Sequence, residues 1–330
     1  MDYDKPFKTY SEQIELLKTK YGLNIVNEEF ARNALISLSY YDLINGYKDC
    51  FMKNEHYIPN INIEFIYLFF LTDKSLQSIL FKYSTIVENS FKSKLAYVLS
   101  KNIGVHENEY LDPKHYYKSY GKLLFNDFRN HCVDIYASNK PIPQPTKHYK
   151  LKHNHIPPWI LFKNVSFGNA INLIRLLKPN EQKELVDLLM PNINILYSEK
   201  VQFIISALNI IREYRNKIAH NLKFITFKPI KHQLSPNIIT KILPKKLLTW
   251  KDLNKSRIGT NDIYAYILCL NILLNDKHLQ KLFCVEINNY FEPQNESTKE
   301  LSELILMHYF NITKLPKDIN IRFSNYLKTL

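Results

Sequence analysis

A chain of 330 residues, 45% hydrophobic and 23% charged, is long enough for one large or two ordinary domains with a real core, which excludes disorder as its overall state. Six glycines against 23 tyrosines and 19 phenylalanines leave little material for phosphate-cradling glycine loops, so a Rossmann or P-loop protein is disfavoured. The net charge of +13 points to a polyanionic partner, because lysines and arginines that neutralise phosphates release counterions.

Nucleic acid and an anionic membrane are the two candidate polyanions. Against the membrane, no apolar run approaches the ~18 to 20 residues that span a bilayer. The best, Ile263 to Leu274, is shorter and is interrupted by Asn271. The opening Met1-Asp2-Tyr3-Asp4 is acidic and lacks an apolar signal core, so the expectation is a soluble, cytoplasmic chain. Cys50, Cys132, Cys269 and Cys284 are scattered without zinc or redox spacing and read as core thiols.

In chain order, Thr9-x-x-Glu12 is a capping box that opens a helix carrying Ile14, Leu16 and Leu17. Asn27 caps a second helix through Phe30, Ala34, Leu35 and Leu38, and the two make a helical hairpin. The segment Tyr40 to Asp49 breaks the periodicity with the turn pair Asn45-Gly46 among aromatics. Its expected role is to pack the hairpin on the main bundle, with Tyr47 and Lys48 as alternative contacts to an RNA backbone. From Ile63 to Ser100 there is no glycine or proline, which predicts one long helix or two joined at Thr72-Asp73, a principal wall of a bundle. Glu88, Lys92 and Lys94 sit where this wall can face a later arginine-bearing helix; Glu88 is either the partner that holds an arginine there or a solvated surface residue.

Residues 101–156 read as an irregular insertion with one helix near Tyr120 to Tyr136. Lys140 to Lys163 contains Lys147, Lys150 and Lys152 with His148, His153 and His155, interleaved with Tyr149 and Trp159, and no acid. Such a stretch is either a solvated loop or a groove that tracks a nucleic-acid backbone and stacks bases. Without a cysteine or carboxylate nearby, the three histidines do not compose a metal site. Pro157-Pro158 begins a helix with Trp159 as a core anchor, Leu161 to Leu177 is helical with Ser166-Phe167-Gly168 as a close-approach point, and Asn180 caps a helix to Leu189.

Val201, Ile204, Ile205, Leu208, Ile211 and Ile218 recur every three or four residues, which predicts a long amphipathic helix closed by Arg212-Glu213-Tyr214-Arg215-Asn216-Lys217-Ile218-Ala219-His220-Asn221. At about 100° per residue, Asn216 and His220 share a face, while Arg215 falls on the apolar stripe and needs a partner or a wet crevice. A guanidinium clamps phosphate, and an imidazole titrates near neutrality, so the pair reads as an anion clamp beside a proton shuttle. By itself, an Arg-x4-His spacing also arises as an ordinary helix end.

The decapeptide resembles the Arg-x4-6-His signature of HEPN-domain ribonucleases, in which a polar residue such as Asn commonly follows the Arg. Lys5 to Tyr10, Tyr40 to Lys48, His155-Ile156-Pro157-Pro158-Trp159, Ser166-Phe167-Gly168 and Arg215 to Asn221, in that order, resemble the abortive-infection (Abi) family, AbiD/AbiF-like branch. The likeness runs from about residue 5 to about residue 228. It implies an all-α, HEPN-like helical bundle with an N-terminal hairpin and additional C-terminal helices. It also implies Arg215, Asn216 and His220 as catalytic residues; Arg212, one turn earlier on the same helix, and Glu88 are the supporting candidates.

The expected division is a core over 1–230, including the hairpin at 1–60, and a basic connector with C-terminal helices over 231–330. Leu222 to Arg257 holds nine Lys or Arg against the single Asp252, so Lys223, Lys228, Lys231, Lys245 and Lys246, with Lys217 just before them, form a second candidate RNA path beside Lys147 to His155. Asp262 to Leu274, Lys277 to Tyr290, Thr298 to Phe310 and Asp318 to Leu330 read as four short amphipathic helices. RNA carries its own nucleophile, so the implied cleavage needs no metal or cofactor. The resemblance further implies a homodimer that completes the site and a structured small RNA that restrains it; a non-catalytic RNA-binding protein is the alternative.

Overall fold

The computed structural model describes residues 4–117, 122–137, 141–191, 193–292 and 299–330. The fold is all-α, and the only sheet among the described residues is a two-stranded hairpin pairing Met52–Lys53 with His56–Tyr57. Helix α1 (Tyr10–Thr19) opens on the expected capping box, with the Thr9 backbone N–H donating to Glu12 at 2.7 Å. Asn27 caps α2 (Glu28–Leu38), its side chain accepting from the Phe30 N–H at 2.9 Å. A π-helical turn, Tyr41–Asn45, and the short α3 (Lys48–Phe51) then lead into the β hairpin. Gly46 is required there because a Cβ would stand 2.4 Å from the Asp42 carbonyl oxygen.

The Ile63–Asn102 stretch is a single 40-residue helix, α4, started by Asn62, whose side chain accepts from the Phe65 N–H at 2.8 Å. It runs unbroken through Asp73, which is 1% exposed. Its carboxylate accepts from Tyr47 Oη at 2.7 Å, Gln77 Nε2 at 2.7 Å and Tyr309 Oη at 2.8 Å, so the buried group has donors on three sides. Leu76, Leu80, Val87, Phe91 and Leu95 on one face, and further apolar residues around it, make α4 the centre of the bundle rather than one wall.

Residues 101–156 are more ordered than an irregular insertion, with α5 (Glu107–Tyr110), α6 (Lys122–Ala137) and α7 (Thr146–Lys152). Tyr120, where the expected helix began, lies outside the described residues. Pro157 and Pro158 start α8 (Pro158–Leu161) as expected, but Trp159 is 47% exposed and is not a core anchor; Leu161 and Phe162 fill the core instead. The expected helix over Leu161 to Leu177 is broken, because Ser166 starts α9 (Phe167–Ile174) afresh, accepting from the Asn169 N–H at 3.2 Å. Helix α10 (Pro179–Leu189) begins two residues earlier than expected: its cap is Lys178, with Pro179 at the first turn, not Asn180.

Helix α11 (Tyr197–Ala219) lies between α4, α9, α10 and α13 (Ile263–Leu273). Every residue of α13 is buried, so it is not amphipathic. Its Tyr266 ring stacks on Tyr214 of α11 at 4.7 Å, nearly parallel. The short α12 (Pro236–Ile242) also packs on α11. Helices α14 (Lys277–Phe291) and α16 (Ile319–Leu327) pair closely, while α15 (Lys299–Thr313) returns to α4 and sets His308 against Phe65 and Phe51 at 5.3 and 5.8 Å. Thr298, the expected start of that helix, lies outside the described residues. Residues from both sides of position 230 therefore enter one hydrophobic cluster.

Candidate functional site

The last turn and cap of α11 carry Arg215, Asn216 and His220. Arg215 leaves the apolar stripe toward α4, where its Nη2 stands 3.3 Å from Glu88 Oε2 and its Nη1 donates to Asn216 Oδ1 at 3.1 Å. Its guanidinium carbon lies 6.0 Å from the centre of the Phe81 ring. The other Glu88 oxygen accepts from Lys92 Nζ at 2.7 Å. One carboxylate thus serves two cations, and the crevice keeps a positive excess. Glu88 and Lys92 each have 11% of their side chains exposed, whereas Arg215 keeps 31%, so the guanidinium is the member of the trio that faces solvent.

His220 terminates α11: its backbone N–H donates to the Asn216 carbonyl at 3.1 Å, and the residue is exposed. Asn221 follows with φ 51°, the left-handed conformation that ends many helices, and its side chain accepts from Lys74 of α4. Arg212 sits one turn earlier and is not at Glu88. Its Nη2 is 3.9 Å from Glu213 Oε1, and its Nη1 fills the space above Gly168, where a Cβ would come within 2.7 Å. The close approach expected at Ser166-Phe167-Gly168 is thus an arginine laid over a glycine.

The chain after His220 folds back along α11. Tyr214 Oη donates to the Phe227 carbonyl at 2.7 Å, Lys217 Nζ stands 4.8 Å from the Phe227 ring centre, and His232 lies 3.5 Å from Glu213. Lys223 is engaged with Asp49 at 2.6 Å, while Lys228, Lys231, Lys245 and Lys246 are exposed. On the other basic stretch, Lys147, Lys150, Lys152 and His153 are exposed on and just after α7, which packs on α6 and α8. Lys150 donates to the Tyr136 carbonyl, the His153 ring lies 4.6 Å from Tyr149, and half-buried His155 lies 6.4 Å from His106. Lys140 lies outside the described residues.

Three groups escaped sequence reasoning. Asp73, Lys74 and Gln77 border a cleft that Asp42 and Asn45 share with Asn221, joining the Tyr40 to Lys48 motif to the residue after His220. His131 on α6 accepts the Ser166 N–H at 3.0 Å, and burial, assisted by Lys92, holds its pKa below the usual imidazole range. Phe81 supplies the ring beside Arg215. None had a local signal, because each is one residue among many in a long helical pattern.

No helix of the described residues is long and apolar enough to cross a membrane. No curated protein and no solved structure matches the chain. Residues 33–226 match the family described as Abi-like protein. That span exceeds half of the chain and includes the π turn, α4 and α11 with the residues they bring together, so the chain belongs to the Abi-like protein family.

Proposed function

We propose that this chain is a metal-independent, HEPN-type endoribonuclease of an abortive-infection or toxin–antitoxin system. The family suggests the abortive-infection setting. The observation that carries the chemistry is Arg215, oriented by Glu88 and Asn216 yet 31% exposed, on the helix end that His220 caps. His220 takes the proton of an RNA 2′-hydroxyl, the oxygen attacks the adjacent phosphorus, and Arg215 stabilises the charge that builds on the phosphorane. The products are a 2′,3′-cyclic phosphate and a 5′-hydroxyl, with the leaving oxygen taking a proton.

One arginine and one exposed histidine leave that second proton transfer without a protein donor. A homodimer sharing one scissile phosphate supplies it, with a second His220 acting as the acid. The exposed lysines after α11 and along α7 then hold the flanking RNA, either substrate or a structured small RNA that restrains the enzyme.

A second reading has one observation in its favour. Arg215 is already paired with Glu88, and among the described residues no hydrogen bond orients the His220 ring. In that reading the chain grips RNA without cutting it. Purified protein incubated with RNA in EDTA separates the two: cleavage leaving cyclic phosphate ends, abolished by His220→Ala and by Arg215→Ala with the fold intact, supports the nuclease. Salt-sensitive binding with no cleavage selects the holder, and full activity of either variant removes this site. Sedimentation that finds only monomer in an active preparation removes the dimer.

A further inference from the structure

The cleft beside the β hairpin is lined by three tyrosines, Tyr21, Tyr40 and Tyr57, together with Met52, Asn45 and the charged Lys48, Asp49 and Glu55. Tyr57 is held rigidly: Met52 pairs with it across the hairpin, and its backbone N–H donates to the Tyr21 carbonyl at 2.9 Å. The connecting Asn54 and Glu55 take φ of 52° and 64°, a tight turn that fixes the strand register. Tyr57 is only 7% exposed, yet among the described residues its hydroxyl has no hydrogen-bond partner. Folding alone gives no reason for that, because a buried hydroxyl without a partner is destabilising. Burial pushes the Tyr40 phenol up to about 12 and that of Tyr57 higher still, so both hydroxyls are donors at neutral pH.

We propose that this cleft is a nucleobase subsite, in which a base lies among the tyrosine rings, Tyr57 Oη donates to its edge, and Lys48 meets its phosphate. A planar base uses ring faces and one buried donor together. Lys48 is the one cation of the lining and is exposed; of the two carboxylates there, Asp49 is committed to Lys223 at 2.6 Å and Glu55 is exposed on the hairpin turn. Asn45 borders both this cleft and the one beside Asn221, so the two form adjoining depressions leading from the cap of α11. The inference rests on the RNA reading above and names a place where a nucleotide flanking the cut is held.

The full-length His220→Ala chain, which leaves RNA uncut under that reading, is the binding form. Its affinity for a fluorescent single-stranded RNA is measured by anisotropy over a salt series. Tyr57→Phe in that background weakens binding about three- to ten-fold, the size of one lost hydrogen bond, while the melting temperature without RNA stays level or rises. Tyr40→Leu weakens it roughly ten-fold without changing the salt slope, and Lys48→Ala lowers the slope by about one. Competition by a mononucleotide that Tyr57→Phe abolishes marks a free nucleotide as the ligand; the same RNA effects without such competition mark a base within a chain. Folded Tyr57→Phe and Tyr40→Leu proteins that bind RNA like their parent overturn the subsite. If the wild type cuts RNA and only this result fails, the nuclease reading stands; if the wild type cuts nothing, that reading fails separately.

Discussion

Replacing Glu88 by glutamine removes one charge and almost no volume, so its effect isolates the electrostatics of the α4–α11 contact. Glu88 is 8% exposed and stands 2.7 Å from Lys92 Nζ and 3.3 Å from Arg215 Nη2. Removing one partner of a fully buried ion pair costs about 3–5 kcal/mol, because the other charge is left without compensation. That figure is an upper limit for Lys92, whose side chain is 11% exposed. The Arg215 half is worth far less, since 31% exposure lets water screen it toward the surface value of under about 1 kcal/mol. Together these give an expected loss of about 2–3 kcal/mol, read from urea denaturation so that salt does not mask it. Adding Lys92→Met should recover about 1–2 kcal/mol, because the orphaned ammonium is gone. If the proposed nuclease reading holds, cleavage by Glu88→Gln should fall at temperatures where it remains folded, since the guanidinium loses the group that aims it. A single variant within about 0.5 kcal/mol of wild type would refute the idea that this carboxylate neutralises two cations.

Two glycines should respond differently to alanine. At Gly46 the new Cβ meets the Asp42 carbonyl at 2.4 Å, a backbone atom that cannot yield without unwinding the π turn, and a loss of roughly 2–4 kcal/mol is expected in chemical denaturation. At Gly168 it meets the far end of Arg212, which can swing away, so the stability change should stay under about 1 kcal/mol while a crystal structure shows the guanidinium displaced. Asp73→Asn keeps the shape but offers one acceptor oxygen to the three donors of Tyr47, Gln77 and Tyr309, and should cost about 2–3 kcal/mol; a neutral result would show that the carboxylate is dispensable. His131 titrates below its ordinary value of 6.5 because burial disfavours the cation, so the unfolded chain takes the proton first. Stability is therefore full above about pH 6.5 and falls as the pH drops through the folded-state value. His232 and His308 are lowered by burial in the same direction, so His131→Gln should flatten the slope between about pH 7 and 5 without abolishing it, and an unchanged slope would contradict the assignment.

The sequence determined what is local. Thr9 with Glu12, and Asn27, were legible as caps because a side-chain acceptor three residues from its backbone N–H donor needs no tertiary partner. Apolar spacing marked α11 and the α4 stretch, though not whether the latter was one helix or two; the all-α class came with the family resemblance, and the Arg215-to-Asn221 stretch stood out because a charge on an apolar stripe requires an explanation. Trp159 was misplaced, and the break after Leu161 missed, since a proline pair sets where a helix starts but not which face is buried. The all-round burial of α13 was likewise hidden, because a short apolar run has the same pattern on a surface or in a core.

Tertiary structure alone decided which distant residues meet. Glu88 is 127 positions from Arg215, and packing of α4 on α11 decides that its carboxylate, rather than water, faces the guanidinium. Packing likewise brings the Tyr40 to Lys48 segment to Asn221 and sets Arg212 of α11 over Gly168 of α9, and on the β hairpin it leaves the Tyr57 hydroxyl buried without a partner among the described residues. Helix propensity and capping act over a few residues and are written in the chain. Contact between helices depends on the rotation and depth at which many side chains interlock, and no short stretch of sequence encodes that on its own.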